Sequence, residues 1–229
     1  MAEGLFITGT GTDVGKTFVT GLIVKKLRES GRNAAYYKAA VSGNERKEDG
    51  SLIPGDALYV RQISGIRQPL SSMCPFVYEA AVSPHLASRL EGGPVRMDAV
   101  RQGFQKLTAE YDYVTMEGSG GILCPLSFGR EELWLEDVAR ALNLSCLLVA
   151  DAGLGTINSV VLTTEYMRSR NLPLKGIIFN RFHPGDVMEE DNLRMCVHRT
   201  GLQALACVQE GDTELAMDAG ALASLYEPV

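Results

Sequence analysis

The sequence has no surplus of positive charge. Twenty-two Lys and Arg stand against 28 Asp and Glu, a formal net charge of −6 over 229 residues. That balance argues against nucleic acid or an anionic membrane as a partner, since both are held through a broad positive field. An anionic ligand must then be held by local donors. The five cysteines (Cys74, Cys124, Cys146, Cys196 and Cys207) include no C-x-x-C pair. An odd, unpatterned set reads as ordinary reduced thiols, which fits the cytoplasm, and none has the neighbours of a nucleophile. The most apolar run, Leu144 to Ala150, is far short of the ~20 residues that a spanning helix needs. Internal repeats, low-complexity tracts and interdomain linkers are missing. The first residues lead straight into a strand pattern, so no secretory leader is expected. Residues 1–229 read as a single domain, with 45% hydrophobic residues and enough chain to build a core without staples.

What is present is an alternation of short apolar runs with helical patterns. Strands are expected at Leu5 to Thr8, Ala34 to Lys38, Tyr113 to Glu117, Cys146 to Ala150 and Gly176 to Asn180. Helices are expected at about Lys16 to Ser30, Asp56 to Ser64, Met97 to Glu110, Leu135 to Leu142, Ile157 to Arg170 and Val187 to Arg199. The stretch Ser42 to Asp56 reads as a loop whose charged run Glu45 to Asp49 is solvated surface. This alternation predicts an α/β fold: a mainly parallel sheet covered by helices on both faces. In such sheets ligands bind beyond the carboxyl ends of the strands, so the residues just past each strand are the candidates for chemistry.

Beyond the first strand stands Gly9-Thr10-Gly11-Thr12-Asp13-Val14-Gly15-Lys16-Thr17, a glycine-rich loop ending in Gly-Lys-Thr at the start of a helix. Such a loop suits a polyphosphate. Its glycines let successive N–H groups turn inward, and the helix start adds unpaired donors and a positive dipole end. Lys16 supplies charge for the β- and γ-phosphates, and the Thr17 hydroxyl can ligate magnesium. The strict phosphate-loop spacing would need glycine at position 10, where Thr10 stands; counted from Gly9 the loop is one residue longer. A dinucleotide fingerprint fails at Val14. The second strand also ends in Lys38 rather than in an acid for a ribose hydroxyl. A nucleoside triphosphate is therefore expected, in a fold of the P-loop NTPase type.

The other strand ends carry polar residues as well. Glu117 is a magnesium ligand or an ordinary strand-end glutamate, and burial would require a partner. Asp56 is a second ligand or an N-terminal helix cap. Lys38 is a second cation on the transferred phosphoryl group or a lysine snorkelling from a strand end. The turn Gly153-Leu154-Gly155-Thr156-Ile157-Asn158 can hold a carboxylate at a helix start or can be a tight connection. His85 reads as a helix-start residue without a catalytic part, and Leu135 to Leu142 as a core face.

Taken together these pieces resemble the dethiobiotin synthetases. The matching features are the long loop Gly9 to Thr17, Tyr37-Lys38 followed by Ser42-Gly43, Asp56-Ala57-Leu58, Ser83-Pro84-His85, Glu117-Gly118-Ser119-Gly120-Gly121 and Leu154-Gly155-Thr156-Ile157-Asn158, covering about Leu5 to Asn180. The resemblance implies an ATP-dependent ligase of biotin synthesis that takes 7,8-diaminopelargonate and carbon dioxide. One amine captures carbon dioxide as a carbamate, the carbamate attacks the γ-phosphate of ATP, and the second amine closes the cyclic urea. By the resemblance, Lys16, Lys38, Thr12 and Ser42 act at the reacting groups. Gly9, Gly11, Thr12, Asp13, Val14, Gly15, Lys16, Thr17, Glu117, Gly118, Gly120 and Asn180 bind nucleotide, with Asn180 reading adenine. Thr17, Asp56 and Glu117 hold Mg2+. Thr12, Asp13, Lys38 and Ser42 line the diamine side, and Gly153 to Asn158 hold its carboxylate across a homodimer interface. The chain departs from the family's usual pattern in three places: Ala39 replaces a proline, Asp13 replaces a glutamate, and Ala206-Cys207-Val208-Gln209-Glu210 lacks the usual proline beside the base. Two other classes share a related loop. A cobyric-acid-type amide synthetase normally carries a glutaminase domain, for which there is no room. Switch ATPases of the partitioning and metal-cluster delivery type carry a signature lysine where Gly11 stands.

Overall fold

The strand β1 (Glu3–Gly9) turns Leu5 and Ile7 into one helical layer and Phe6 into the other, and all three are fully buried. An unbroken apolar run requires such two-sided burial, and the computed structural model, which describes residues 1–129 and 131–229, repeats it strand after strand. The remaining strands are β2 (Ala34–Lys38), β3 (Ala40–Val41), β4 (Phe76–Val77), β5 (Tyr113–Gly121), β6 (Pro125–Ser127), β7 (Leu133–Trp134), β8 (Cys146–Asp151), β9 (Leu174–Asn180), β10 (Ala204–Val208) and β11 (Glu227–Pro228). The helices are α1 (Lys16–Glu29), α2 (Gly55–Ser64), α3 (Leu70–Met73), α4 (Pro84–Glu91), α5 (Met97–Glu110), α6 (Leu135–Ala141), α7 (Thr156–Ser169), α8 (Val187–Thr200) and α9 (Ala219–Ala223).

The main sheet runs β10-β9-β8-β1-β5-β2, with these strands parallel and β11 antiparallel against the start of β1. On one face, Val19, Leu22, Ile23 and Leu27 of α1 and Val60 of α2 pack against Leu5, Ile7, Tyr36 and Leu147. On the other, Val100, Phe104 and Leu107 of α5 and Val138 of α6 pack against Phe6, Tyr37, Val114 and Met116. Val160 of α7 and Cys196 of α8 extend that face over Leu148, Ile177 and Phe179. From β1 the chain crosses to β2, returns to fill the slot between them with β5, and later builds outward on the other side through β8. The strand order therefore reverses beside β1, and a ligand crevice is expected there, beyond the carboxyl ends.

The expected strands and helices are all found, joined by several short unanticipated elements, and the parallel strands of the main sheet differ from expectation in two places. β5 runs on through the glycines after Glu117. The segment Ala204–Val208, unanticipated as a strand, is the outermost one, and only Ala206 and Val208 are buried in it, so it carries little apolar pattern. The long connection after β3 is mostly irregular, as expected, with one bridge between Arg46 and Leu52. Among the described residues no helix is long and apolar enough to cross a membrane.

Gly118 marks a close approach that the fold needs. A Cβ there would lie 2.7 Å from Leu135 Cδ2, 3.1 Å from Phe6 Cζ and 3.3 Å from the Ile7 carbonyl oxygen. Gly118→Ala is expected to cost about 1–3 kcal/mol by overpacking, read as a lower urea midpoint. An unchanged midpoint would mean that β5 and α6 separate freely.

Candidate active site

The loop between β1 and α1 closes on itself through its glycines. Gly15 has φ +85, and a Cβ there would lie 2.0 Å from Asn180 Nδ2. At Gly9 a Cβ would sit 2.8 Å from Val14 Cγ2 and 3.0 Å from Lys16 Cδ. Gly11 has open space instead; its carbonyl accepts a hydrogen bond from Lys16 Nζ at 2.8 Å. Asp13 is left-handed at φ 60, a conformation that Asp tolerates better than most residues.

Sheet register assembles the charged centre. Lys38 of β2 is paired in register with Glu117 of β5, so their side chains emerge on the same face. Tyr36, two residues earlier, shares that face, and α1 and α2 cover it with Thr17 and Asp56. Lys38 Nζ donates to Glu117 Oε1 at 2.7 Å and to Asp56 Oδ2 at 2.5 Å. Thr17 Oγ1 donates to Glu117 Oε1 at 2.8 Å, and the Tyr36 hydroxyl donates to Glu117 Oε2 at 3.0 Å. Glu117 is wholly buried and Lys38 is 4% exposed. Of the two alternatives at Asp56, the cap finds no support: the residue preceding α2 is Pro54, the first N–H of the helix, at Gly55, donates to Asn44 Oδ1 at 2.9 Å, and the Asp56 carboxylate is engaged by Lys38.

Burial and charge set the two lysines apart. Burial lowers Lys16, the neighbouring Lys38 charge lowers it further, and Glu117, Asp56 and Asp13 restore part of the loss, leaving it at about 8. At Lys38 burial alone would act the same way, but Glu117 and Asp56 outweigh it and hold the amine above the usual lysine value. Tyr36 is pushed well above the ordinary phenol value by burial and then by Glu117, so it stays a donor.

Lys16, Thr17, Lys38, Asp56 and Glu117 border a cavity of about 850 Å³, also lined by Thr12, Asp13, Ser42, Ser83, Ser119, Cys124 and Arg181. Ser42 Oγ donates to the Val82 carbonyl at 2.5 Å. Gly120 lines the cavity beside Thr12, whereas Gly9, Gly11, Val14 and Gly118 are not among its lining residues, and Asn180 is buried beneath the loop. Asn180 Nδ2 donates to the Val14 carbonyl at 3.1 Å, while its Oδ1 has no partner among the described residues. The turn Gly153 to Asn158 is not part of this cavity wall. Leu154 at its tip is 91% exposed and Thr156 Oγ1 is buried without a partner among the described residues. Residue-by-residue reading gives no role to Tyr36 or to Arg181. Tyr36 carries no signal beyond its two-residue offset from Lys38, and Arg181 only its place directly after Asn180.

The donor set fits magnesium. Two carboxylates and a hydroxyl are hard oxygen donors, and the Lys38 ammonium already bridges Asp56 and Glu117 as a positive group would. Among the described residues no cluster of three His, Cys, Asp or Glu could hold a metal, so a cation here would complete its shell with ligand oxygens and water.

A protein-family model described as an AAA domain matches residues 3–213. A curated protein of Clostridium botulinum (strain Loch Maree / Type A3), named ATP-dependent dethiobiotin synthetase BioD, is 42% identical over 229 residues, the full length of both chains. One of the same name from Brachyspira hyodysenteriae (strain ATCC 49526 / WA1) is 43% identical over 216 residues, 94% of this chain and 96% of that protein. Among solved structures, the MinC:MinD cell division protein complex of Aquifex aeolicus aligns at a TM-score of 0.56 and 14% identity, covering 91% of this chain and 82% of that one. That likeness is one of fold, and the fold is the P-loop NTPase-like α/β type.

The charges generate two expected outcomes. Unfolding returns Lys16 to the ordinary lysine value, so between about pH 8 and that value the unfolded chain binds more protons. The Lys16 contribution to stability therefore rises with pH in that window. An anion in the loop favours the charged form. Calorimetric affinity for tripolyphosphate is thus expected to fall as pH rises through about 8, and this fall should vanish in Lys16→Met. A pH-independent wild type would remove Lys16 from the anion site. Lys38→Met leaves Glu117 buried and short of its cation, so the ligand-free protein should lose about 3 kcal/mol in urea unfolding; a loss below about 1 kcal/mol would contradict the pairing.

Proposed function

The chain belongs to the ATP-dependent dethiobiotin synthetase family, and from that premise we propose which of its residues perform each part of the reaction. The enzyme is an ATP-dependent ligase that carboxylates 7,8-diaminopelargonate and closes it to dethiobiotin. One substrate amine takes up carbon dioxide as a carbamate. A carbamate oxygen attacks the γ-phosphorus and ADP leaves. The second amine then attacks the carbamoyl carbon of the mixed anhydride, closing the ring and expelling phosphate. The substrate is its own nucleophile, so the protein must position the reactants and neutralise charge.

The convergence of Lys16, Lys38, Thr17, Asp56 and Glu117 at the mouth of a glycine loop carries this assignment of roles. Lys16 and the loop N–H groups, from Gly9 to Thr17, take the phosphates. Lys38 balances charge between the γ-phosphoryl group and the carbamate. Thr12, Asp13 and Ser42, on the cavity wall, face the diamine. Glu117, Gly118 and Gly120 shape the phosphate side. Asn180 Oδ1, a buried acceptor without a partner among the described residues, suits the amino group of adenine. Thr17, Asp56 and Glu117 would hold Mg2+, which when bound neutralises phosphate charge.

The turn Gly153 to Asn158 serves the substrate carboxylate of a second copy. Its absence from the cavity of its own chain favours that arrangement, as do the exposed Leu154 and, on α7, Leu162 at 61% exposure. The working unit is then a homodimer. A cytoplasmic location suits the five free thiols.

The test follows dethiobiotin by mass and ADP release with diaminopelargonate, bicarbonate and Mg-ATP. Equal amounts of the two products are expected, with kcat lowered about 10²- to 10³-fold in Lys16→Ala. ATP hydrolysis that does not depend on the diamine would refute the ligase assignment. For the dimer, Leu154→Asp should shift sedimentation toward monomer and raise the KM of the diamine more than that of ATP.

A further inference from the structure

Arg181 has no part in the roles assigned so far, yet it touches more of the loop apparatus than its surface position requires. It follows Asn180 at the end of β9 and adopts φ 55, a left-handed conformation unusual for a long side chain. That bend turns two consecutive side chains onto two consecutive carbonyls of the phosphate loop. Asn180 Nδ2 holds Val14 O at 3.1 Å, and Arg181 Nη2 holds Asp13 O at 2.8 Å. In a trans peptide the N–H points opposite to its carbonyl. The N–H groups of Val14 and Gly15 are thereby directed away from Asn180 and Arg181, and among the described residues neither donates to another loop or turn carbonyl, which leaves them to an anion.

The guanidinium has a second commitment. Its Nη1 donates to Asp151 Oδ2 at 2.7 Å, while Asp151 Oδ1 accepts from the Gly153 N–H at 2.8 Å. Its Nε lies 3.8 Å from Glu210 Oε1, a more exposed partner from the segment after β10. One planar fork thus joins the loop after β1 to the turn after β8 and borders the cavity as well. Only a guanidinium spans both directions with fixed geometry.

We infer that Arg181 is a positioning residue that holds the phosphate loop in its anion-binding form and ties that form to the turn at Asp151. The inference rests on the nucleotide assignment above. The pair is half-exposed, with side-chain exposures of 41% and 39%, and such pairs add little to global stability. Nucleotide binding should therefore move without a matching change in Tm.

The experiment measures Mg-ADP affinity by calorimetry, Tm, and the KM values of ATP and diamine in the wild type, Arg181→Ala, Arg181→Lys, Asp151→Asn and the Ala/Asn double variant. Loss of a charge-assisted hydrogen bond predicts Mg-ADP binding about tenfold weaker in Arg181→Ala. The KM of ATP should rise to match and Tm should stay near that of the wild type. Arg181→Lys should recover part of the loss. Asp151→Asn should weaken binding alone but add nothing on top of Arg181→Ala. Affinity of Arg181→Ala within twofold of the wild type would overturn the inference, as would independent, additive losses in the double variant. If the wild type binds no Mg-ADP, the nucleotide assignment falls and this role falls with it. If the wild type binds and both Arg181 variants bind equally well, only the positioning role is lost.

Discussion

Much of the molecule is arranged around one buried ammonium. Taking Lys38 and Glu117 out of water costs several kcal/mol per ion, which only close pairing and full hydrogen bonding can offset. Glu117 meets that condition with both oxygens: Oε1 accepts from Lys38 and Thr17, and Oε2 from Tyr36. Lys38 adds Asp56. The four partners come from β2, α1 and α2, so the cluster fixes those elements against β5 as firmly as an apolar contact would. It also depends on register. A slip of one residue between β2 and β5 would send Lys38 toward the face where Tyr37 packs against Phe104.

The same charges explain how a chain of net charge −6 can bind a polyanion. The positive field is confined to one crevice, where Lys16 and Lys38 lie among low-dielectric walls and the start of α1 contributes its dipole end. Lys16 is held near the edge of deprotonation by burial and by Lys38, so an incoming phosphate relieves an existing repulsion as well as forming new bonds. Carboxylates close by, Glu117 and Asp56, offset the two lysines so that the site itself carries little net charge.

The parallel sheet and the places where chemistry gathers are legible in the sequence because each buried strand is an apolar run that ends in a polar or glycine residue. Lys38 ends β2, Glu117 precedes the glycines that finish β5, and Lys16 opens α1 after the loop that follows β1. Less legible are residues whose role depends on what the fold brings beside them. Asp56 reads equally well as a cap until Lys38 is seen on its carboxylate. Tyr36 looks like any alternating aromatic of a strand. The edge strand Ala204–Val208 is half-buried and too weakly patterned to announce itself. The family resemblance supplied roles that spacing could not, for the turn Gly153 to Asn158 above all.

That turn is also where the proposed homodimer would complete what a single chain offers. Its small residues allow a sharp entry into α7, with Gly155 at φ +91, and the neighbouring Asp151 is held by Arg181. Those features require order. Yet its tip offers Leu154 to solvent, and the Thr156 hydroxyl at the helix start is buried without a partner among the described residues. A lone protomer gains nothing from an ordered, apolar, underbonded turn outside its own cavity. A second copy seated there would cover the leucine, and a substrate carboxylate bound between the copies would meet the helix start, where N–H donors and dipole favour an anion. In the proposed homodimer Arg181 would stand between the two halves of the chemistry: bonded to the phosphate loop of its own site and, through Asp151, to the turn that would meet the neighbour.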